Sequence, residues 1–245
     1  MPSTIPGHLV CMELRRQGYQ AHATLSWIQV AHYPVIAPRA GEFLNLEEIA
    51  LFRTLKFERR QISYLLGRWA AKYALKACLD SKLEPIDIAI KSGVFNQPVV
   101  CCPIARSLGV SISHNDFLVC GLAYPEEHPM AIDVEEVNES RTEVMLTQIG
   151  RNEENMAQLV CSNKDVAATV VWTAKEALSK ALRCGMTCPY ELLEISKLEV
   201  GQGYYTGRFK NFGQYKFQTW LRNGTVLTIV LPKNTELDLN IPETL

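Results

Sequence analysis

Hydrophobic positions along the chain alternate between two kinds of spacing. Residues 25–36, LSWIQVAHYPVI, are rich in β-branched and aromatic types up to Pro34, which predicts an early strand ending there. From Leu46 the spacing turns helical. Within 58–79, Ile62, Leu65, Leu66, Trp69, Tyr73 and Ala77 recur at three- and four-residue steps, as in a long helix with one buried face. Beyond Lys82, short apolar runs separated by turn residues predict three or four strands, at Ile86 to Ile90, Val99 to Cys102, Val110 to Ile112 and Phe117 to Ala123.

Residues 124–130, YPEEHPM, carry two prolines and two glutamates and predict a connector. After it the order recurs: a strand over Ala131 to Val134, helical spacing through 141–183, then short runs at 193–199, 204–209, 214–221 and 225–231 with glycines between them. No repeat stands out residue by residue. The expected fold is α+β, with two similar halves, each a long helix on a small, mainly antiparallel sheet. The halves are placed at 1–123 and 131–231, and the polar residues 232–245 are expected to form a loose tail.

Composition narrows the function. Of 245 residues, 47% are hydrophobic and 21% charged, the balance of an ordinary globular protein. Lys+Arg number 25 against 26 Asp+Glu, so no global field draws the chain to nucleic acid or anionic lipid, and any basic site must be local. No apolar run has the length of a membrane-spanning helix, and residues 1–24 lack the order of a secretory signal, so a cytoplasmic protein is expected. The eight cysteines form no CxxC pair and mostly sit among apolar neighbours, as free thiols in a reducing compartment do.

Four segments can carry chemistry. In Ala131-Ile132-Asp133-Val134-Glu135-Glu136, Asp133 and Glu135 lie two apart and share one face of a strand. Such a pair is either an exposed polar face or a seat for a hard divalent cation such as magnesium. In Val171 to Leu182, Val171, Ala174, Leu178 and Leu182 take the buried side of a helix. Trp172, Glu176 and Lys180 line another face, where Glu176 and Lys180 also fit a plain solvated ion pair. Ser113-His114-Asn115-Asp116 ends a strand in groups that suit either a polar turn or a phosphate. Arg53, Lys56, Arg59 and Arg60 form a local basic cluster at the first long helix, a solvated face or a phosphate site.

Taken in order, SISHND, AIDVEEV and WTAKEALSK resemble the motifs of the 4′-phosphopantetheinyl transferase superfamily. The length and the twofold order resemble its two-half, monomeric surfactin-type class. The resemblance implies Asp133, Glu135 and Glu176 as magnesium ligands, Glu135 also as the base, and Lys180 beside the reacting phosphate. It implies Ser113 and His114 against coenzyme A phosphates, with Arg53, Lys56 and Arg60 toward the nucleotide end. The implied partner is an acyl or peptidyl carrier protein of fatty-acid, polyketide or peptide synthesis, and the implied product a carrier bearing phosphopantetheine. The chain departs from the family pattern at Ala131, where glycine is usual, and at Gln97, where a lysine is expected ahead of the Ser-His turn. Lys91 or Arg106 is expected to stand in for that lysine. The alternative is a catalytically weak protein of the same fold that binds coenzyme A or a carrier protein.

Overall fold

A computed structural model of the chain describes residues 7–79, 83–102 and 107–242. In chain order the elements are β1 (His8–Arg16), β2 (Tyr19–Gln29), α1 (Tyr33–Ile36), α2 (Leu46–Thr54), α3 (Glu58–Leu79), β3 (Ala89–Ser92), β4 (Pro98–Cys101), β5 (Leu108–His114) and β6 (Leu118–Pro125). They continue with β7 (Ala131–Glu136), α4 (Glu139–Leu146), α5 (Arg151–Val160), α6 (Lys164–Ala181), β8 (Ile195–Val200), β9 (Tyr205–Phe209), β10 (Tyr215–Arg222), β11 (Thr225–Pro232) and β12 (Glu236–Asp238). Among the described residues no helix is long and apolar enough to cross a membrane. The fold is α+β, and contacts divide it into two compact units, Met1–Pro129 with Glu236–Asp238, and Met130–Thr235 with Leu239–Leu245.

The first unit carries a five-stranded antiparallel sheet in the order β12-β1-β2-β6-β5. Helix α3 lies on it, burying Leu65, Leu66, Trp69 and Ala70 with Ile28 and Val119, and Ala71, Ala74 and Leu75 with Val110 and Ala123. Helix and sheet meet so closely at Gly121 that a Cβ there would come within 2.6 Å of the Ala70 backbone. Helix α2 starts with a capping box, in which the Asn45 side chain accepts from Glu48 N–H and Glu48 accepts from Asn45 N–H.

The second unit repeats the plan with sheet order β7-β11-β10-β9-β8 and α6 packed on β7 and β11. The β10–β11 hairpin closes through Asn223 and Gly224, both at positive φ (47° and 78°), the two-residue turn whose twist suits paired strands. Asn163 caps α6 by accepting from Val166 N–H at 2.9 Å.

The two units share an inner device. Lys72 of α3 is fully buried and donates to Glu48 and to the Phe43 carbonyl, while the second Glu48 oxygen accepts from Ile90 N–H. Lys175 of α6, also fully buried, donates to Glu153 at 2.7 Å and to the Gln148 carbonyl at 3.1 Å, and Glu153 accepts from Ile195 N–H. Glu153 accepts from Gly150 N–H at the start of α5 as Glu48 accepts from Asn45 N–H at the start of α2. With this match in hand a repeat is visible in the chain, W-x-A-K-x-A-L at Trp69 to Leu75 and again at Trp172 to Leu178.

Three segments differ from their sequence pattern. The early strand is β2, which starts at Tyr19 and ends at Gln29 rather than at Pro34. Pro34 instead enters the first turn of α1, where a missing N–H costs nothing. Ile86 is no strand residue, because Pro85–Asp87 forms a 3-10 turn and pairing begins at Ala89. Residues 232–245 are not a loose tail throughout: Leu237 lies opposite Leu14 in the β12–β1 ladder, and Leu239 and Ile241 are buried.

Candidate functional site

The site builds on β7 and α6 of the second unit. Strand β7 pairs with β11 so that Asp133 lies opposite Thr228. Thr228 shares a 2.8 Å hydrogen bond with Thr173 of α6, and cross-strand partners point to the same side, so Asp133 faces the helix. It is 4% exposed. Lys180, two turns further along α6, donates to Asp133 Oδ1 at 2.7 Å and to the Ile132 carbonyl at 3.3 Å.

Glu135 shares that face and is held by Arg141 of α4 through two bonds, 2.6 Å and 3.3 Å. Glu176 Oε1 accepts from the hydroxyl of Tyr190. Tyr190 stacks on Trp172, their centroids 5.2 Å apart and planes 15° from parallel. Its carbonyl accepts from Lys175 at 3.2 Å. The adjacent residues Lys175 and Glu176 thus hold Tyr190 by its backbone and its ring.

The three carboxylates interact electrically. Burial raises the Glu135 carboxyl above its ordinary value, Arg141 opposes the shift, and the charge of Asp133 adds to it. Burial likewise raises Glu176, against the hydrogen bond from Tyr190, with the charges of Asp133 and Glu135 raising it further. Tyr190 is itself pushed well up, first by burial and then by Glu176, so its hydroxyl stays a donor. The Trp172 indole N–H is buried with no hydrogen-bond acceptor at bonding geometry, yet lies near enough to Glu135 to favour the charged carboxylate.

Among the described residues no three His, Cys, Asp or Glu side chains close on one point able to hold a metal ion. Each carboxylate is turned to its own neighbour, Lys180, Arg141 or Tyr190. The donor set still fits magnesium, which takes one or two carboxylates and completes its sphere with water and phosphate. It does not suit zinc, whose structural sites are closed sets of nitrogen and sulfur ligands.

In the first unit the corresponding places hold no carboxylate. By the helical repeat, Tyr73 and Ala77 match Glu176 and Lys180. By its place opposite Gly121, which meets Ala70, Ser26 matches Asp133, and Ile28 matches Glu135. The ionisable set occurs once.

The remaining predicted residues lie in the first unit. Ser113 is a buried residue of β5, and His114 is exposed at its end. His114 borders a cavity of about 260 Å³ with Arg59, Ser63 and Asp116, and Arg59 reaches Asp116 at 2.9 Å. Arg53, Lys56 and Arg60 are exposed and do not border that cavity. The basic residue brought to the Ser-His turn is Arg59, which charge clustering alone could not single out from its neighbours. Gln97 turns inward on its own hairpin and accepts from Phe95 N–H at 2.9 Å. Lys91 is paired with Glu47 at 2.9 Å, and Arg106 lies outside the described residues. Arg141 and Tyr190 escaped sequence reasoning, since neither falls in a motif or shares a helical face with its partner.

A family model described as ACPS, 4′-phosphopantetheinyl transferase superfamily, matches residues 129–230, which hold the four residues Asp133, Glu135, Glu176 and Lys180. The holo-[acyl-carrier-protein] synthase of Streptococcus mutans is 34% identical over 80 residues, 31% of this chain and 66% of that protein. The holo-[acyl-carrier-protein] synthase of Streptococcus agalactiae serotype III is 35% identical over 80 residues, 31% of this chain and 67% of that protein. The chain therefore spans about two thirds of the length of these relatives. The solved holo-(acyl-carrier-protein) synthase from Bacillus anthracis str. Ames in complex with CoA (3′,5′-ADP) is 17% identical, covers 47% of this chain and 94% of its own, and superposes with a TM-score of 0.38.

Proposed function

This chain belongs to the 4′-phosphopantetheinyl transferase superfamily, and we propose that it transfers the 4′-phosphopantetheine arm of coenzyme A to a serine of an acyl or peptidyl carrier protein. The observation that carries the proposal is the bond from Lys180 of α6 to Asp133 of β7 within the matched region, with Glu135 on the same strand face as Asp133 and Glu176 one turn before Lys180 on the helix.

In this reaction the carrier serine oxygen forms a bond to the β-phosphorus of coenzyme A. The pyrophosphate bond breaks, and adenosine 3′,5′-bisphosphate leaves. Glu135 takes the serine proton, a task suited to a carboxylate whose basicity burial has raised. Lys180, anchored on Asp133, presents a cation to the charge that builds on the phosphates. Magnesium bound by one or two of Asp133, Glu135 and Glu176 would supply neutralisation of the pyrophosphate. Asp133 and Glu176 keep their places through Lys180 and Tyr190. In the first unit we assign Ser113 and His114 to coenzyme A phosphates and Arg53, Lys56 and Arg60 to its nucleotide end.

Two units of the same plan support placing the chain in the surfactin-type class, and with it a monomeric, cytoplasmic enzyme. Gln97, bonded within its own turn, favours a second reading in which the protein binds coenzyme A or a carrier without transfer.

The intact mass of apo carrier proteins after incubation with this protein, coenzyme A and magnesium decides between them. A magnesium-dependent gain of one phosphopantetheine arm, absent with Asp133→Ala, is the expected result. No gain across a panel of carriers while coenzyme A still binds would establish the second reading.

A further inference from the structure

We propose that Tyr190 is a positioning residue: stacked on Trp172, its hydroxyl sets where Glu176 stands to receive the metal. The proposal rests on the magnesium reading above. The Tyr190 hydroxyl donates to Glu176 Oε1, and the Tyr190 ring stacks on Trp172, which lies one helical turn before Glu176 on α6. The stack at 5.2 Å favours one orientation of the Tyr190 ring, and with it one direction for its hydroxyl.

The pair is braced from below. Lys175 holds the Tyr190 carbonyl and is itself held by Glu153, whose other oxygen receives Ile195 N–H at the start of β8. A chain of bonds runs from the sheet through a buried ion pair to the ring that meets Glu176. Such a brace counters the tendency of like charges to turn apart, and it leaves the carboxylates turned to neighbours that an arriving cation can replace. The first unit has a matching buried lysine, Lys72, but Ser26 and Tyr73 in place of Asp133 and Glu176. The buried ion pair and the stacked tryptophan, Trp69 on Tyr73 with centroids 4.6 Å apart, are therefore general to the fold, whereas a tyrosine hydroxyl bonded to a carboxylate belongs to the site.

The test uses the full chain with Tyr190→Phe, which keeps the ring and its stacking and deletes the donor, and Trp172→Ala, which removes the ring that Tyr190 stacks on. Two readings are taken against magnesium chloride concentration: the shift in thermal unfolding midpoint without coenzyme A or carrier, and the transfer rate with both. Tyr190→Phe is expected to raise the half-saturating magnesium about ten- to a hundredfold in both, as loss of a partner that orients a metal ligand does. Saturating magnesium should restore kcat to within about threefold. Magnesium midpoints equal to wild type in both variants would overturn the proposal, as would a kcat loss that magnesium does not restore. A wild-type protein whose unfolding ignores magnesium overturns it together with the magnesium reading. A wild type that shows the metal-dependent shift, displaced in the variants, but transfers nothing sustains the aromatic pair and refutes the reaction.

Discussion

Lys72 and Lys175 are each fully buried, and each donates to the glutamate of a helix-capping box and to a backbone carbonyl two residues before the cap. Each glutamate also receives the N–H of an isoleucine, Ile90 or Ile195. An ammonium in such a place has no water to fall back on. Glu153→Ala is therefore expected to lower unfolding stability by about 3–5 kcal/mol, because it strands a buried charge. The pair replacement Glu153→Leu with Lys175→Met should cost markedly less. Urea unfolding of both measures the difference, and a Glu153→Ala loss below about 1 kcal/mol would contradict the assignment.

On the proposed function, Asp133→Ala should abolish transfer while leaving a folded protein, since it removes a proposed metal ligand and the anchor of Lys180 together. Lys180→Ala should slow single-turnover transfer by about 10²-fold or more without preventing coenzyme A from binding. Rapid-quench transfer and equilibrium binding separate the two. An unchanged single-turnover rate in Lys180→Ala would remove that lysine from the reaction.

Stability should fall as pH rises past 9. Burial raises the Cys161 thiol from its ordinary 9.0 to about 11. A folded-state pKa above the unfolded value means that the folded chain keeps a proton the unfolded chain releases. The contribution is whole below pH 9 and is lost between 9 and about 11. The full loss is on the order of 3 kcal/mol. Cys161→Ala should flatten this alkaline slope in urea titrations at stepped pH, and an identical slope would show that the thiol does not carry it.

Removing residues 236–245 should destabilise the protein by at least about 3 kcal/mol, through loss of the β12–β1 ladder and of buried Leu239 and Ile241. Calorimetry would show this as a drop of several degrees in Tm. A truncated protein melting within about 2 °C of the full chain would make β12 an ornament of the edge.

Local pattern carried much of this protein. The three- and four-residue spacing between Ile62 and Ala77 marked α3, and the four-residue steps from Trp172 to Lys180 marked the half-exposed stripe of a helix otherwise buried along most of its length. The strand of Asp133 and Glu135 was legible because period-two alternation puts both on one face, as β7 does. These features depend on neighbours in the chain, so the chain displays them. Pro34 misled because proline ends a strand and opens a helix with equal ease, and only the packing of Ile36 into the first core selects the helix.

Other features depend on residues far apart. No spacing rule joins Tyr190 to Glu176, Arg141 to Glu135 or Glu153 to Lys175, because each bond closes only after helices α4, α5 and α6 have packed. The repeat W-x-A-K-x-A-L went unseen for a related reason: its shared lysine has meaning only beside a glutamate that the fold brings to it. The sequence by itself determined the α+β class, the principal helices and the carboxylate-bearing segments, since periodicity and local chemistry are properties of the chain. Tertiary structure alone decided which cation and which hydroxyl hold each carboxylate, and that β12 would pair with β1, since burial and long-range pairing exist only once the chain has folded.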